Sequence, residues 1–202
     1  MQASYKFVPT SINAGERPEP HEGLSIWMRL HLNKRAIRAL GVAESFETGD
    51  RKSTLAGVVM RSDLVTDGFV IGRATVEGDD ATKAIARMYR KLGRNDVNVV
   101  ILSGCIISLY NIVDVDALAK DLNVPVVCVT YKESAGIGRS IRHHFGSRAQ
   151  KKLEAYRKLG RRKRVLLKTG YYVYFRGGSI TDSEVRRLLD LFTLQGGIPE
   201  PV

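Results

Sequence analysis

The chain has 202 residues and 22.4 kDa, with 44% hydrophobic residues and a formal net charge of +11. That length suits one domain with a small appendage, and that apolar content excludes wholesale disorder. The excess of Lys and Arg points to a polyanionic partner, nucleic acid ahead of a membrane surface; the plainer alternative is a soluble protein whose surface is merely basic.

Residues 1–35 hold Pro9, Pro18 and Pro20 with Gly15 and Gly23, and are expected to form an N-terminal arm before a domain at 36–202. Within the arm, LSIWMRLHL (24–32) reads equally as a strand or a short helix. Residues 38–43, 54–61 and 64–76 follow as three strands with short connections, hence an antiparallel meander, the third interrupted at Asp67-Gly68. A helix is expected from Gly78-Asp79-Asp80 to about Leu92. Asp79 is placed as its N-cap, and Ala81, Ile85, Met88 and Leu92 fall on one apolar stripe.

Val97, Val99, Val100, Ile101 and Leu102 form a short, mostly β-branched apolar run that reads as a strand buried on both faces and stops at Ser103-Gly104. A helix near 115–122, opened by Asp114 and Asp116, and a second buried strand over 124–129 make a right-handed parallel crossover. Residues 134–160 read as helical with a break near Gly146, 171–176 as an aromatic strand, and 181–195 as a last helix packing through Leu188, Leu189 and Phe192.

This order predicts an α/β fold: an RNase H-like mixed five-stranded sheet, order 3-2-1-4-5, flanked by helices. Ligands of open α/β sheets bind beyond the carboxyl ends of the strands, so the loop carrying Ser103, Gly104, Tyr110 and Asn111 is the first candidate site. The alternative is an ordinary connection whose Ser and Asn serve turn chemistry. Adjacent His143 and His144 diverge on a helix and make no spaced metal pair. SAGIGRS (134–140) lacks the spacing of a Walker phosphate loop and reads as a flexible connection or, less simply, a phosphate cradle. Cys105 and Cys128, the only cysteines, lack zinc or disulfide-framework spacing and read as small core residues of a reducing, cytoplasmic compartment. No stretch has the length and apolarity of a membrane span, so no membrane partner is expected.

Five segments, in this order and spacing, resemble the archaeal endonuclease dU family, which is akin to endonuclease V. They are AGVVMRSDLVTDGFV (56–70), TVEGDDATKAI (75–85), ILSGCIISLYNIVD (101–114), VPVVCVTYKES (124–134) and QGGIPEP (195–201). The resemblance implies an RNase H-like fold and a link to Mg²⁺-dependent cleavage of DNA at deaminated bases. It also implies paired acids at the end of the first strand, where this chain has Ala43-Glu44, and an acid at the end of the fourth, where it has Ser103. Asp80 matches the family's acidic position. A neutral serine cannot supply the charge with which a carboxylate holds a divalent ion. The remaining catalytic candidates are Glu44, Asp79 and Asp80, with Glu44 and Asp80 as metal ligands; the plainer reading of Asp79 and Asp80 is service to a helix N-terminus.

Between residues 139 and 168 the chain carries Arg139, Arg142, Arg148, Lys151, Lys152, Arg157, Lys158, Arg161, Arg162, Lys163, Arg164 and Lys168 against only Glu154. Solvated faces usually mix both signs, so this run is expected where phosphates supply the missing charge. Tyr172, Tyr174 and Arg176 share one face of their strand and either stack unpaired bases or lie under the last helix. The expected function is a nucleic-acid-binding protein, DNA or RNA, on an endonuclease dU-like scaffold with weakened or lost nuclease activity. The alternatives are a Mg²⁺-dependent endonuclease acting on uracil or hypoxanthine in DNA, and an RNA-binding subunit of a ribonucleoprotein assembly with its own protein partner.

Overall fold

The computed structural model describes residues 36–202; the arm, with its strand-or-helix segment 24–32, lies outside the described residues. The elements run β1 (Arg38–Ser45), β2 (Lys52–Arg61), β3 (Thr66–Thr75), α1 (Ala81–Lys91), β4 (Val99–Ser103), β5 (Ile106–Ile107), β6 (Asn111–Ile112) and α2 (Val115–Leu122). They continue through β7 (Val126–Thr130), α3 (Gly138–Phe145), α4 (Ala149–Lys158), β8 (Lys163–Leu166), β9 (Tyr172–Gly178) and α5 (Asp182–Phe192). The break at Gly146 is a left-handed residue (φ 53°) leading into a 3-10 turn, Gly146–Arg148.

A mixed sheet flanked by helices forms, but with seven strands, β3-β2-β1-β4-β7-β9-β8, rather than five. The β1–β3 meander and the parallel β4–β7 pair occupy one side of it, and the order 3-2-1-4-5 does not describe the whole sheet. Beyond β7, β9 pairs antiparallel, and β8 adds an edge by pairing Lys163 with Phe175 and Leu166 with Tyr172. Residues 163–166, Lys-Arg-Val-Leu, are too short and too charged to show a strand period, and their extended form is set by β9. A small second sheet joins β5 to β6.

Alternation along the central strands sorts their side chains between two cores. Leu40, Val42, Val100, Leu102, Val126 and Cys128 pack beneath α1 and α2. Ala39, Val99, Ile101, Val127, Val173 and Phe175 pack beneath Val185, Leu188, Leu189 and Phe192 of α5. Each such aliphatic or aromatic side chain contributes about 1.5–3 kcal/mol by leaving water. The last helix therefore covers the face of β9 opposite to Tyr172, Tyr174 and Arg176. A third cluster, Ile141, Ala149 and Leu153 with Tyr110, Phe145 and Tyr156, seats α3 and α4.

Two local details set the frame. Thr181 and Glu184 form a reciprocal capping box at the start of α5. The C-terminal segment lies so close across β1 that a Cβ on Gly41 would stand 1.9 Å from the Pro201 carbonyl oxygen, so only glycine admits it.

Candidate functional site

Parallel pairing of β1 with β4, Val42 opposite Leu102, brings Glu44 and Ser103 to the same end of the sheet. There a cleft of about 650 Å³ opens beyond the carboxyl ends of β1, β4 and β7. Its walls include Glu44, Ser103, Gly104, Cys105, Tyr110, Tyr131, Lys132 and Arg176. Tyr156 of α4 and Ile137, next to α3, close one side, so the basic helices stand beside the opening.

The β5–β6 connection is unusual: Ser108, Leu109 and Tyr110 all have positive φ, at 45°, 52° and 65°. Each non-glycine residue in that region costs about 1–2 kcal/mol and persists only when its surroundings over-determine it. Here Ser108 Oγ shares a 2.5 Å hydrogen bond with Ser53 Oγ, and the Glu77 N–H donates to Ser108 O at 2.7 Å. The Tyr110 ring packs 5.2 Å from His144 and 5.6 Å from Phe145, and His144 Nε2 lies 2.7 Å from Glu77 Oε1.

Asn111 anchors the other end of this loop. Its amide nitrogen donates to Thr75 O and to Asp80 Oδ1, both at 2.8 Å, while its oxygen accepts from the Ala81 N–H at 2.9 Å. Asp80 also accepts from the Thr75 N–H (3.0 Å) and hydroxyl (2.8 Å). Burial alone would raise the Asp80 carboxyl, but these donors outweigh it and hold the group below the ordinary carboxylate range. The N-cap position of α1 is Asp80, not Asp79, and its side chain makes no cap bond to the helix; it reaches back to Thr75 instead. Asp79 bonds Lys151 and Lys152, each at 2.6 Å, and against its burial those ammonium groups depress its carboxyl.

The three candidate acids therefore stand in three different settings. Glu44 is on the cleft, with Ser108 Oγ 3.5 Å from Oε2, at the long limit of a hydrogen bond. Asp80 is saturated by Thr75 and Asn111, and Asp79 is neutralised by lysines. Among the described residues no group of three His, Cys, Asp or Glu is placed to hold a metal ion. A divalent cation favours several oxygen ligands, and the donor set present offers it one uncommitted carboxylate, so the residues here do not fit a resident Mg²⁺.

Most of the predicted binding residues are at the surface, including Arg139, Arg142, Arg148, Arg157, Arg161, Arg164 and Lys168. Lys151, Lys158 and Lys163 are exposed but paired, with Asp79, Asp114 and Asp182. Lys152 is buried: it bonds Asp79 and the Gly78 carbonyl and lies 5.6 Å from the Phe145 ring centroid, so it ties α4 to the entry of α1 rather than facing a ligand. Arg162 bonds Thr130 Oγ1 and the carbonyls of Lys132 and Ser134, fastening the 130–136 connection. In SAGIGRS the Gly136 and Ile137 N–H groups already donate to Ser134 Oγ and Tyr156 Oη, and are not open to a phosphate.

Two contributors gave little sequence signal. Ser53 sits in a strand and becomes notable only through Ser108, 55 residues away. Cys105 reads as core, yet it borders the cleft with Arg176 Nη1 4.0 Å from its sulfur. A hydrogen bond from the Cys128 thiol, helped by Arg176, holds the Cys105 thiol below its ordinary value against burial, while burial pushes Cys128 up.

The parallel β1–β4 pair beside the β1–β3 meander, with a cleft at the strands' carboxyl ends, is the arrangement of an RNase H-like fold. A crystal structure of an Archaeoglobus fulgidus protein described as of unknown function superposes with TM-score 0.70 at 23% identity, over 82% of this chain and 92% of that one. Ciona intestinalis endonuclease V, solved with a 24mer DNA containing an inosine followed by a ribo-adenosine, gives 0.52 at 11% identity, over 83% and 82%. The chain belongs to the Endonuclease dU family, whose sequence model matches residues 35–202. A UPF0215 protein of Pyrobaculum calidifontis is 35% identical over 164 residues, 81% of this chain and 90% of that protein.

Proposed function

We propose that this protein binds nucleic acid through the basic surface of α3, α4 and the segment leading into β8, on an endonuclease dU scaffold whose metal-holding acids are depleted. The observation that carries this reading is the unbalanced charge beside the cleft. Arg139, Arg142, Arg148, Arg157 and Arg161 are exposed and have no acidic partner among the described residues. On other faces acids pair with surface bases, as Asp121 does with Arg90 and Asp63 with Arg61. Phosphates would supply the absent negative charge and release condensed counterions, which drives association. The Ciona endonuclease V structure lends support, since that neighbour was solved with DNA.

The test is binding of a labelled duplex across a salt series. Replacing Arg142, Arg148, Arg157 and Arg161 with Gln should weaken binding at least tenfold at low salt. It should also flatten the salt dependence by about one unit of slope for each phosphate that is no longer neutralised. Unchanged affinity at every salt concentration would make the basic run a solvated surface only.

A second reading, a Mg²⁺-dependent endonuclease for deaminated bases, is favoured by the position of Glu44 on the cleft and by the family relationship. It needs carboxylates that this chain would have to recruit from outside the cleft.

A further inference from the structure

The face of the β8–β9 ribbon that α5 leaves uncovered has a composition unlike the rest of the sheet. Cross-strand register puts Arg164 opposite Tyr174 and Leu166 opposite Tyr172, all on that face, with Arg162 and Arg176 at its cleft end. The Arg164 guanidinium lies over the Tyr172 ring at 4.5 Å from its centroid, and that of Arg162 over Tyr174 at 4.9 Å. Tyr172 is 51% exposed and Leu166 41%, and β8 is the edge of the sheet.

Three guanidinium groups share this face, and none forms an ion pair with a carboxylate among the described residues; the acids Asp114 and Asp116 border a pocket with Arg176, and Asp114 is bonded to Lys158. Arg162 and Arg176 direct their hydrogen bonds to neutral oxygens, those of Thr130, Lys132, Ser134 and Gly160. Among the described residues Arg164 has no hydrogen-bond or ion-pair partner and lies over the Tyr172 ring. On the opposite face Lys163 has Asp182 at 2.7 Å. The missing anion on the arginine face is the complement of a phosphate chain, and the flat guanidinium and phenol planes are what an unpaired base stacks upon. Tyr172 and Tyr174 are about 6.8 Å apart along the strand, within reach of neighbouring nucleotides in an extended strand.

We propose that this ribbon face is a stacking track for an unpaired nucleic-acid strand, with Arg164–Tyr172 and Arg162–Tyr174 as its two steps, running to the cleft. The track rests on the nucleic-acid reading above and adds to it the strandedness of the partner and the direction from which that partner enters. Each base–aromatic contact of this kind contributes about 1–3 kcal/mol by alanine substitution, roughly five- to a hundredfold in affinity. A duplex keeps its bases stacked on each other and gains only the phosphate contacts.

The experiment uses the full chain with fluorescein-labelled dT20, rU20 and a 20-base-pair duplex, read by anisotropy across a salt series. Tyr172→Leu should weaken dT20 or rU20 binding five- to fiftyfold with an unchanged salt slope and unchanged duplex binding, and Tyr172→Phe should restore it. Whichever of dT20 and rU20 is weakened more tells whether DNA or RNA is the preferred strand. A single 5-iodouracil in the oligonucleotide should crosslink to Tyr172 or Tyr174. If Tyr172→Leu, melting like wild type, binds both single strands normally while the arginine variants of the basic run bind weakly, the track is refuted and the basic-surface reading stands. If none of the three probes binds wild type, both fall.

Discussion

Asn111 Nδ2 donates to Asp80 Oδ1 at 2.8 Å, and this contact decides what Asp80 can do. The same amide serves Thr75 O and the Ala81 N–H, so one buried side chain joins the end of β3, the start of α1 and the strained loop at the cleft. Asn111→Ala would leave the buried Ala81 N–H unsatisfied and would take one donor each from Asp80 Oδ1 and from Thr75 O, which keeps only the Gly78 N–H. The expected loss is about 2–4 kcal/mol of unfolding free energy in urea titrations, well above the cost of an exposed substitution. A loss under about 1 kcal/mol would mean that water replaces the amide and that Asp80 is less committed than its hydrogen bonds indicate.

The carboxylate deficit at the cleft predicts a gain of function. Ser103→Asp with Ala43→Asp would bring two new acids to the end of the sheet that Glu44 occupies, the one at position 103 on the cleft wall. That variant should bind Mn²⁺ in calorimetry and nick DNA containing uracil or hypoxanthine, with wild type showing little or no cleavage. Efficient cutting by wild type, abolished by Glu44→Ala, would favour the endonuclease reading instead.

Acid stability has a specific contributor. Arg94, and after it Arg38, hydrogen-bond Asp67 and hold its carboxyl down at about 2, from an ordinary 3.8. A depressed folded-state value adds stability that is present above the unfolded value and is lost as pH falls through the folded one. Asp67→Asn should therefore lower Tm at pH 7, and the gap to wild type should close between about pH 4 and pH 2. A gap that is the same at pH 2 and pH 7 would assign the effect to packing.

The two thiols should react unequally. Cys105 borders the cleft and is held low by Cys128 and Arg176, whereas Cys128 is enclosed and pushed up. Iodoacetamide on the native protein, followed by peptide mass mapping, should label Cys105 first, with a midpoint below the ordinary thiol value of 9.0. Cys128→Ala removes the hydrogen-bond donor and should move that midpoint upward. Equal labelling of both cysteines would show that the site opens readily.

Much of the frame is written in local pattern. The apolar run that became β4, the Ala81–Ile85–Met88 stripe of α1 and the turn at Gly146 each depend on residues within a few positions of one another, where periodicity and glycine geometry speak directly. The excess of positive charge and the five family segments were equally plain. Tertiary structure alone turned residues 163–166 into an edge strand, because that segment is extended only against β9. It alone gave Asp80 to Asn111, 31 residues away, and Asp79 to Lys151, 72 residues away. It also put α5 on the far side of β9 from the tyrosines and arginines. A sequence states which charges and donors exist, but whether each is satisfied inside the protein or left for a ligand depends on which distant segment folds against it.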